Sequence, residues 1–223
     1  MKINFTEFSE EEIMKNLFLL SFIFLLILFI LPLNAQPQFG LKAGLNIANA
    51  VGDDANIGGT DLDSRTGFSG GVFFMYKFSD LFAIQPEVYY TMKGSTLNIN
   101  GVDITFAFDY IEVPLLLKLI IPVEGSNIRP SIFAGPSVGF NSTAKTKVEA
   151  DGESAEEDIS DMIESTEFGL VLGGGLGFLI GGNELGFNIR YILGLTTLDN
   201  ESDNPDDIKN AVISFNVYFG FSL

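Results

Sequence analysis

Asn210-Ala-Val-Ile-Ser-Phe-Asn-Val-Tyr-Phe-Gly-Phe-Ser-Leu223 alternates without a break. Ala211, Ile213, Phe215, Val217, Phe219, Phe221 and Leu223 are apolar, and the residues between them are mostly small or polar. A period of two over this length describes a strand with one apolar and one polar face. It is long for a strand of a soluble domain, where about 5–6 residues is usual. It suits a strand that crosses a bilayer, apolar towards lipid and polar towards a lumen.

Seven earlier segments repeat the pattern, beginning near Phe39, Phe68, Phe82, Tyr110, Asn127, Glu167 and Leu185. Their connectors are short at Ser79-Asp80, Ile121–Ser126 and Gly181–Asn183, and long at about 49–66, 94–105, 141–165 and 196–209. Short turns at one end and long loops at the other predict an all-β fold. It is an eight-stranded antiparallel up-and-down transmembrane barrel with extracellular loops and both termini in the periplasm. Within the second connector, Asn100-Gly101 is a hairpin signal, so its flanking strands are expected to project above the membrane.

Periodicity alone does not separate this barrel from a soluble one with its apolar face inward. Two features choose the membrane form. Glycines crowd the polar face (among them Gly40, Gly71, Gly139, Gly173, Gly186 and Gly220), as the narrow inside of a small barrel requires. Aromatics stand near strand ends on the apolar face, at Phe39, Phe68, Phe78, Phe82, Phe140, Tyr191 and Phe221, as interfacial girdles do.

Leu17–Leu31 is an apolar run interrupted only by Ser21, preceded by Lys15 and followed by Pro32-Leu33-Asn34-Ala35. It is shorter than the roughly 20 residues that span a bilayer and reads as the core of a signal peptide over residues 1–35, cleaved after Ala35. Met14-Lys15-Asn16 resembles an ordinary signal start, so translation from Met14 is an alternative. Removing residues 1–35 takes away four acids and two bases and leaves a net charge of −15. That balance excludes nucleic acid as a partner. The chain has no Cys and no His, which removes most zinc sites and every Ser-His or Cys-His nucleophile pair. No enzymatic activity and no cofactor are expected.

Two constellations stand out. Lys42, Lys77, Glu87, Glu112, Lys118, Arg129 and Arg190 all fall on the polar face. Eight strands leave an interior just wide enough for side chains, and buried charges need partners. These residues are therefore expected to form a plug of ion pairs; a narrow pore with a basic lumen is the alternative. The carboxylates Glu87 and Glu112 have no substrate cleft between them, so glycosidase chemistry does not fit. The second constellation is Glu149, Asp151, Glu153, Glu156, Glu157, Asp158, Asp161 and Glu164, eight acids in sixteen residues. It reads as a solvated, self-repelling loop, or as carboxylates that bind divalent cations, alone or shared with lipopolysaccharide phosphates. Ile159, Met162 and Ile163 would form the apolar side of a helical turn or two there. Asp199, Glu201, Asp203 and Asp207 have the spacing of a calcium loop, but Asn204 and Asn210 stand where that loop needs Gly and Glu. Gly173–Gly177 lacks the Lys-Ser/Thr that a phosphate loop requires.

Gly40-Leu41-Lys42-Ala43-Gly44-Leu45-Asn46, Gln85-Pro86-Glu87-Val88-Tyr89-Tyr90, Tyr110–Lys118 and Gly135-Pro136-Ser137-Val138-Gly139 resemble the small outer-membrane barrels of Bacteroidetes known as PorT-like or porin-like. The resemblance covers all eight strands. It implies the outer membrane of a Gram-negative bacterium, contact with lipid and lipopolysaccharide, and insertion by the barrel-assembly machinery through the last strand. It also implies that an envelope protein partner is to be looked for. A typical barrel of this kind ends in an aromatic residue, whereas this chain ends in Leu223.

Overall fold

The computed structural model describes residues 37–222, apart from 53–54, 58–59, 100, 151 and 199–207. The signal segment, Asp151, the residues Asp199 to Asp207 and Leu223 lie outside the described residues. Eight long strands form the body: β1 (Pro37–Val51), β2 (Asp63–Lys77), β3 (Phe82–Ile99), β4 (Val102–Ile120), β5 (Ile128–Ala150), β6 (Thr166–Ile180), β7 (Asn183–Gly194) and β8 (Lys209–Ser222). Each pairs antiparallel with its neighbours in the chain, and β1 pairs with β8 from Gln38↔Ser222 to Val51↔Lys209, which closes the ring.

Burial fixes inside and outside. On β1, Phe39, Leu41, Leu45 and Ile47 are exposed, whereas Gln38, Lys42 and Asn46 are buried. The same inversion holds on every strand: polar residues line the interior and large apolar residues face out. In water that arrangement would leave a continuous apolar surface unburied, far beyond the patches soluble monomers tolerate; against lipid it is the stable one. All seven girdle aromatics, from Phe39 to Phe221, are among the outward-facing residues.

Interior glycines exist because bulky neighbours use their space. A Cβ on Gly173 would sit 2.5 Å from the Phe133 ring, and one on Gly186 would sit 2.5 Å from the Tyr218 hydroxyl. Phe73, Met75, Ala83, Ile120 and Tyr218 fill the end of the lumen that carries the short turns. Ala48, Leu116, Phe133, Val171, Ile192 and Val212 form a second apolar cluster.

At the loop end the hairpin expected around Gly101 forms, whereas the solvated loop expected at 141–165 does not. The connector placed at 94–105 is strand on both sides, with Ile99 paired to Val102 and Gly101 at φ +88° in the turn. Much of 141–165 is also strand rather than solvated loop. β5 continues to Ala150, and a further strand, Glu153–Asp158, folds back along it, from Lys145↔Asp158 to Ala150↔Glu153. The β-branched residues Thr143, Thr146 and Val148 favour the ladder. Pairing with Asp103–Asp109 of β4 extends it, and Lys145 and Lys147 offset part of the acidic charge. At about 3.4 Å per residue, the 23 residues of β5 far outreach an apolar band about 25 Å tall, so β3, β4 and β5 carry a projecting sheet. The expected helical turns reduce to one 3-10 turn, Ser160–Met162.

Candidate functional site

The lumen charges converge on Glu87 of β3. Its carboxylate accepts hydrogen bonds from Arg190 Nη1 at 2.8 Å and Nη2 at 3.3 Å, from Gln85 Nε2 at 2.7 Å, and from Lys42 Nζ. Lys42, Glu87 and Arg190 come from β1, β3 and β7, so the contacts cross the barrel rather than follow the sheet. Alternation puts all three on the inward face, and the narrow bore does the rest. Tyr89 lies beneath the cations: Lys42 Nζ is 3.8 Å from its ring centre, and the Arg190 guanidinium sits between Tyr89 and Phe133. Such placement over ring faces adds attraction once water is excluded.

A second centre lies nearer the loop end. Lys93 Nζ donates to Glu167 Oε1 at 2.5 Å and lies 3.3 Å from Glu112 Oε2, while Asn210 donates to Glu167 from β8. Towards the turn end, Tyr218 donates to Glu184 at 2.7 Å, and Lys118 lies over the Tyr218 ring at 5.2 Å. Amides bridge these centres: Asn216 donates to Asn188 and Ser214 and accepts from Ser69, and Asn46 donates to Thr91.

Five of the seven expected lumen residues, Lys42, Glu87, Glu112, Lys118 and Arg190, are therefore buried within this set. Lys77 and Arg129, near the turn end, are only half-buried. Three members, Lys93, Glu167 and Glu184, belong to the cluster without having been expected in it. They change its chemistry. Among the described residues the buried charges are Lys42, Lys93, Lys118 and Arg190 against Glu87, Glu112, Glu167 and Glu184. Four cations meet four carboxylates, so the buried lumen is neutral rather than basic. The space left among Lys42, Gln85, Glu87, Lys118, Asn188 and Arg190 is about 10 Å³, room for about one water molecule.

The acidic segment lies on the projecting hairpin. Lys145 pairs with Glu156 at 2.6 Å and Lys147 with Glu149 at 2.9 Å, both well exposed, and exposed pairs contribute little. The hydrogen bond from Lys145 to Glu156 holds that ammonium above its usual pKa. Asp158 Oδ1 accepts the Ser160 backbone N–H at 2.9 Å, which holds its carboxyl below the usual carboxylate range. The side chains of Glu153 and Glu157 are exposed along the outer strand, Asp161 is exposed in the turn, and Glu164 is half-buried just beyond it. No three carboxylates converge on a cation site among the described residues. A two-stranded ladder spreads successive side chains to opposite faces, which keeps these acids apart.

An antiparallel ring with lipid-type residues outside and a packed polar lumen defines a small outer-membrane β-barrel. The family model described as outer membrane protein beta-barrel domain matches residues 34–200, and the chain belongs to that family. No curated protein matches it significantly. Among solved structures it is similar to the attachment invasion locus protein Ail of Yersinia pestis, at 17% identity over 83% of this chain and 99% of that one, TM-score 0.44. It is similar to Neisserial surface protein A at 16% identity over 82% and 97%, TM-score 0.47. It is also similar to OprG of Pseudomonas aeruginosa at 16% identity over 83% and 95%, TM-score 0.42.

Proposed function

We infer that this protein is a non-enzymatic outer-membrane barrel with a closed lumen, and that it works through its outer surface. The observation that carries the reading is the neutral set of eight buried charges around a residual space of about 10 Å³. A conducting path needs a continuous wet bore, and this cross-section is occupied by side chains bound to one another. Both termini lie in the periplasm, and the projecting acidic hairpin stands outside the cell. There it meets a partner, or cations shared with lipopolysaccharide phosphates. The motif-level likeness to PorT-like barrels makes an accessory role in an envelope assembly machine the form such a partnership would take.

Planar-bilayer recording of the purified chain tests the closed lumen. Silence is the expected result. Steady current steps that vanish when Arg129 and Arg190 are neutralised would replace this reading with a small-solute channel. Co-purification from native membranes, with and without residues 145–158, identifies what the hairpin holds; identical partner sets in both would sink its role.

A further inference from the structure

The inward face of the barrel changes chemistry at its loop end. Along β3, Glu87, Tyr89, Thr91 and Lys93 lead to Ser95 and Leu97. Along β4, Glu112 and Tyr110 give way to Phe108 and Phe106, and along β1 Asn46 gives way to Ala48 and Ala50. A lumen that only had to meet water at its mouth would become more polar there. Instead, Ile159 and Ile163 from the turn after the hairpin, and Ile208 from the last connector, pack on a cluster that includes Phe108 and Leu198. These side chains do not close completely. A cavity of about 260 Å³ remains among them, and Ser95 is its one polar lining residue among the described residues. Met162 also lines it and is 62% exposed, so the mouth lies at the loop end. Lys93, two residues from Ser95, belongs to the ion-pair layer on the other side.

We propose that this cavity is a blind binding site for a small, uncharged, apolar molecule carrying at most one hydroxyl or carbonyl group, which Ser95 would meet. Volume sets the size: an apolar cavity of about 150 Å³ takes up benzene, so 260 Å³ admits a molecule somewhat larger. The lining sets the charge: among the described residues it contains no ionisable side chain, and a charged head group would lose its hydration without gaining a partner. That the site is blind rests on the closed lumen inferred above; that it binds does not.

The test uses the full chain in lipid nanodiscs, with labelled Ile and Leu methyl groups followed by NMR during titration with 1-octanol. Saturable shifts confined to Leu62, Ile159, Ile163, Leu198 and Ile208 are expected. Ala50→Phe, which fills the cavity from the strand side, weakens the apparent affinity by roughly tenfold or more, because added bulk in a confined apolar space displaces its occupant. Ile163→Phe fills it from the opposite side and gives the same loss if Ala50→Phe does not fold. Heat-modifiable gel migration reports folding for both. Octanol dissolved in the bilayer shifts lipid-facing methyls, such as those of Leu45 and Ile132, in proportion to concentration and without saturation. Shifts of that kind alone, or saturable shifts that both filled variants keep at unchanged affinity, overturn the site. Conductance plays no part in this readout, so the cavity and the closed lumen fail separately.

Discussion

Glu87→Gln isolates what the lumen network contributes. The change keeps the side-chain shape and removes one negative charge. In the native protein that carboxylate, fully buried, accepts two bonds from Arg190, one from Gln85 and one from Lys42, and both cations are themselves almost fully buried. Removing one partner of a buried ion pair costs about 3–5 kcal/mol, because the charge left behind has neither partner nor water. Two cations lose their partner here, but they share one network, so the losses do not simply add. A destabilisation of about 3–5 kcal/mol is expected, roughly a hundredfold to several-thousandfold in the folding equilibrium constant. The chain contains no Trp, so unfolding by guanidinium in lipid vesicles is best followed by far-UV circular dichroism and gel mobility. Replacing Lys42, Glu87 and Arg190 together by Met restores most of the loss, since apolar groups of similar volume often substitute for a buried pair without net cost. A Glu87→Gln protein within about 0.5 kcal/mol of the parent, the range of an ordinary surface change, would refute the reasoning. So would a triple variant less stable than the single one.

Two further outcomes follow from the two environments outside the lumen. Leu45, 63% exposed, faces lipid, so Leu45→Arg is expected to destabilise by about 2–4 kcal/mol if it lies near the midplane, where the same change on a soluble surface would be nearly silent; vesicle unfolding measures it. At the hairpin, the depressed pKa of Asp158 means that its support for the Ser160 turn is present above the ordinary carboxylate range and is lost as pH falls through the lowered one. The protection of the Ser160 amide, its exchange rate relative to the intrinsic rate at each pH, should therefore fall on acidification, and Asp158→Ala should be poorly protected at every pH; a protection profile in the parent that matches the variant's would remove the link.

Most of the barrel was legible because alternation carries two facts at once, the strand and its faces. The same parity could have delivered the missing lumen residues. Lys93 shares the face of Glu87, Glu167 the face of Gly169, and Glu184 the face of Asn188. They escaped notice because each lies at the margin of an apolar run, beside Gly94, the acid-rich segment and the Gly181-Gly182 turn respectively. Partner choice was not legible at all. Glu87 and Arg190 are 103 residues apart, and which inward residues meet across the bore depends on strand tilt and stagger, which no local pattern states. The hairpin at Lys145–Asp158 misled in the opposite way: its density of acids suggested repulsion, whereas its Thr, Val and Lys residues and the neighbouring strand supply the ladder.

The pairing of β1 with β8 also sets an order in time. The chain is made and exported from its first residue to its last, yet the partner of Phe39 is Phe221. Until the final strand has crossed into the periplasm, β1 has an unmatched row of amide and carbonyl groups, and the outward Leu, Ile and Phe side chains have no lipid to meet. Closure is therefore the last long-range event of biogenesis and the slow kind, since distant contacts must be found before they stabilise anything. In the interval, the nascent sheet must be held by something other than itself.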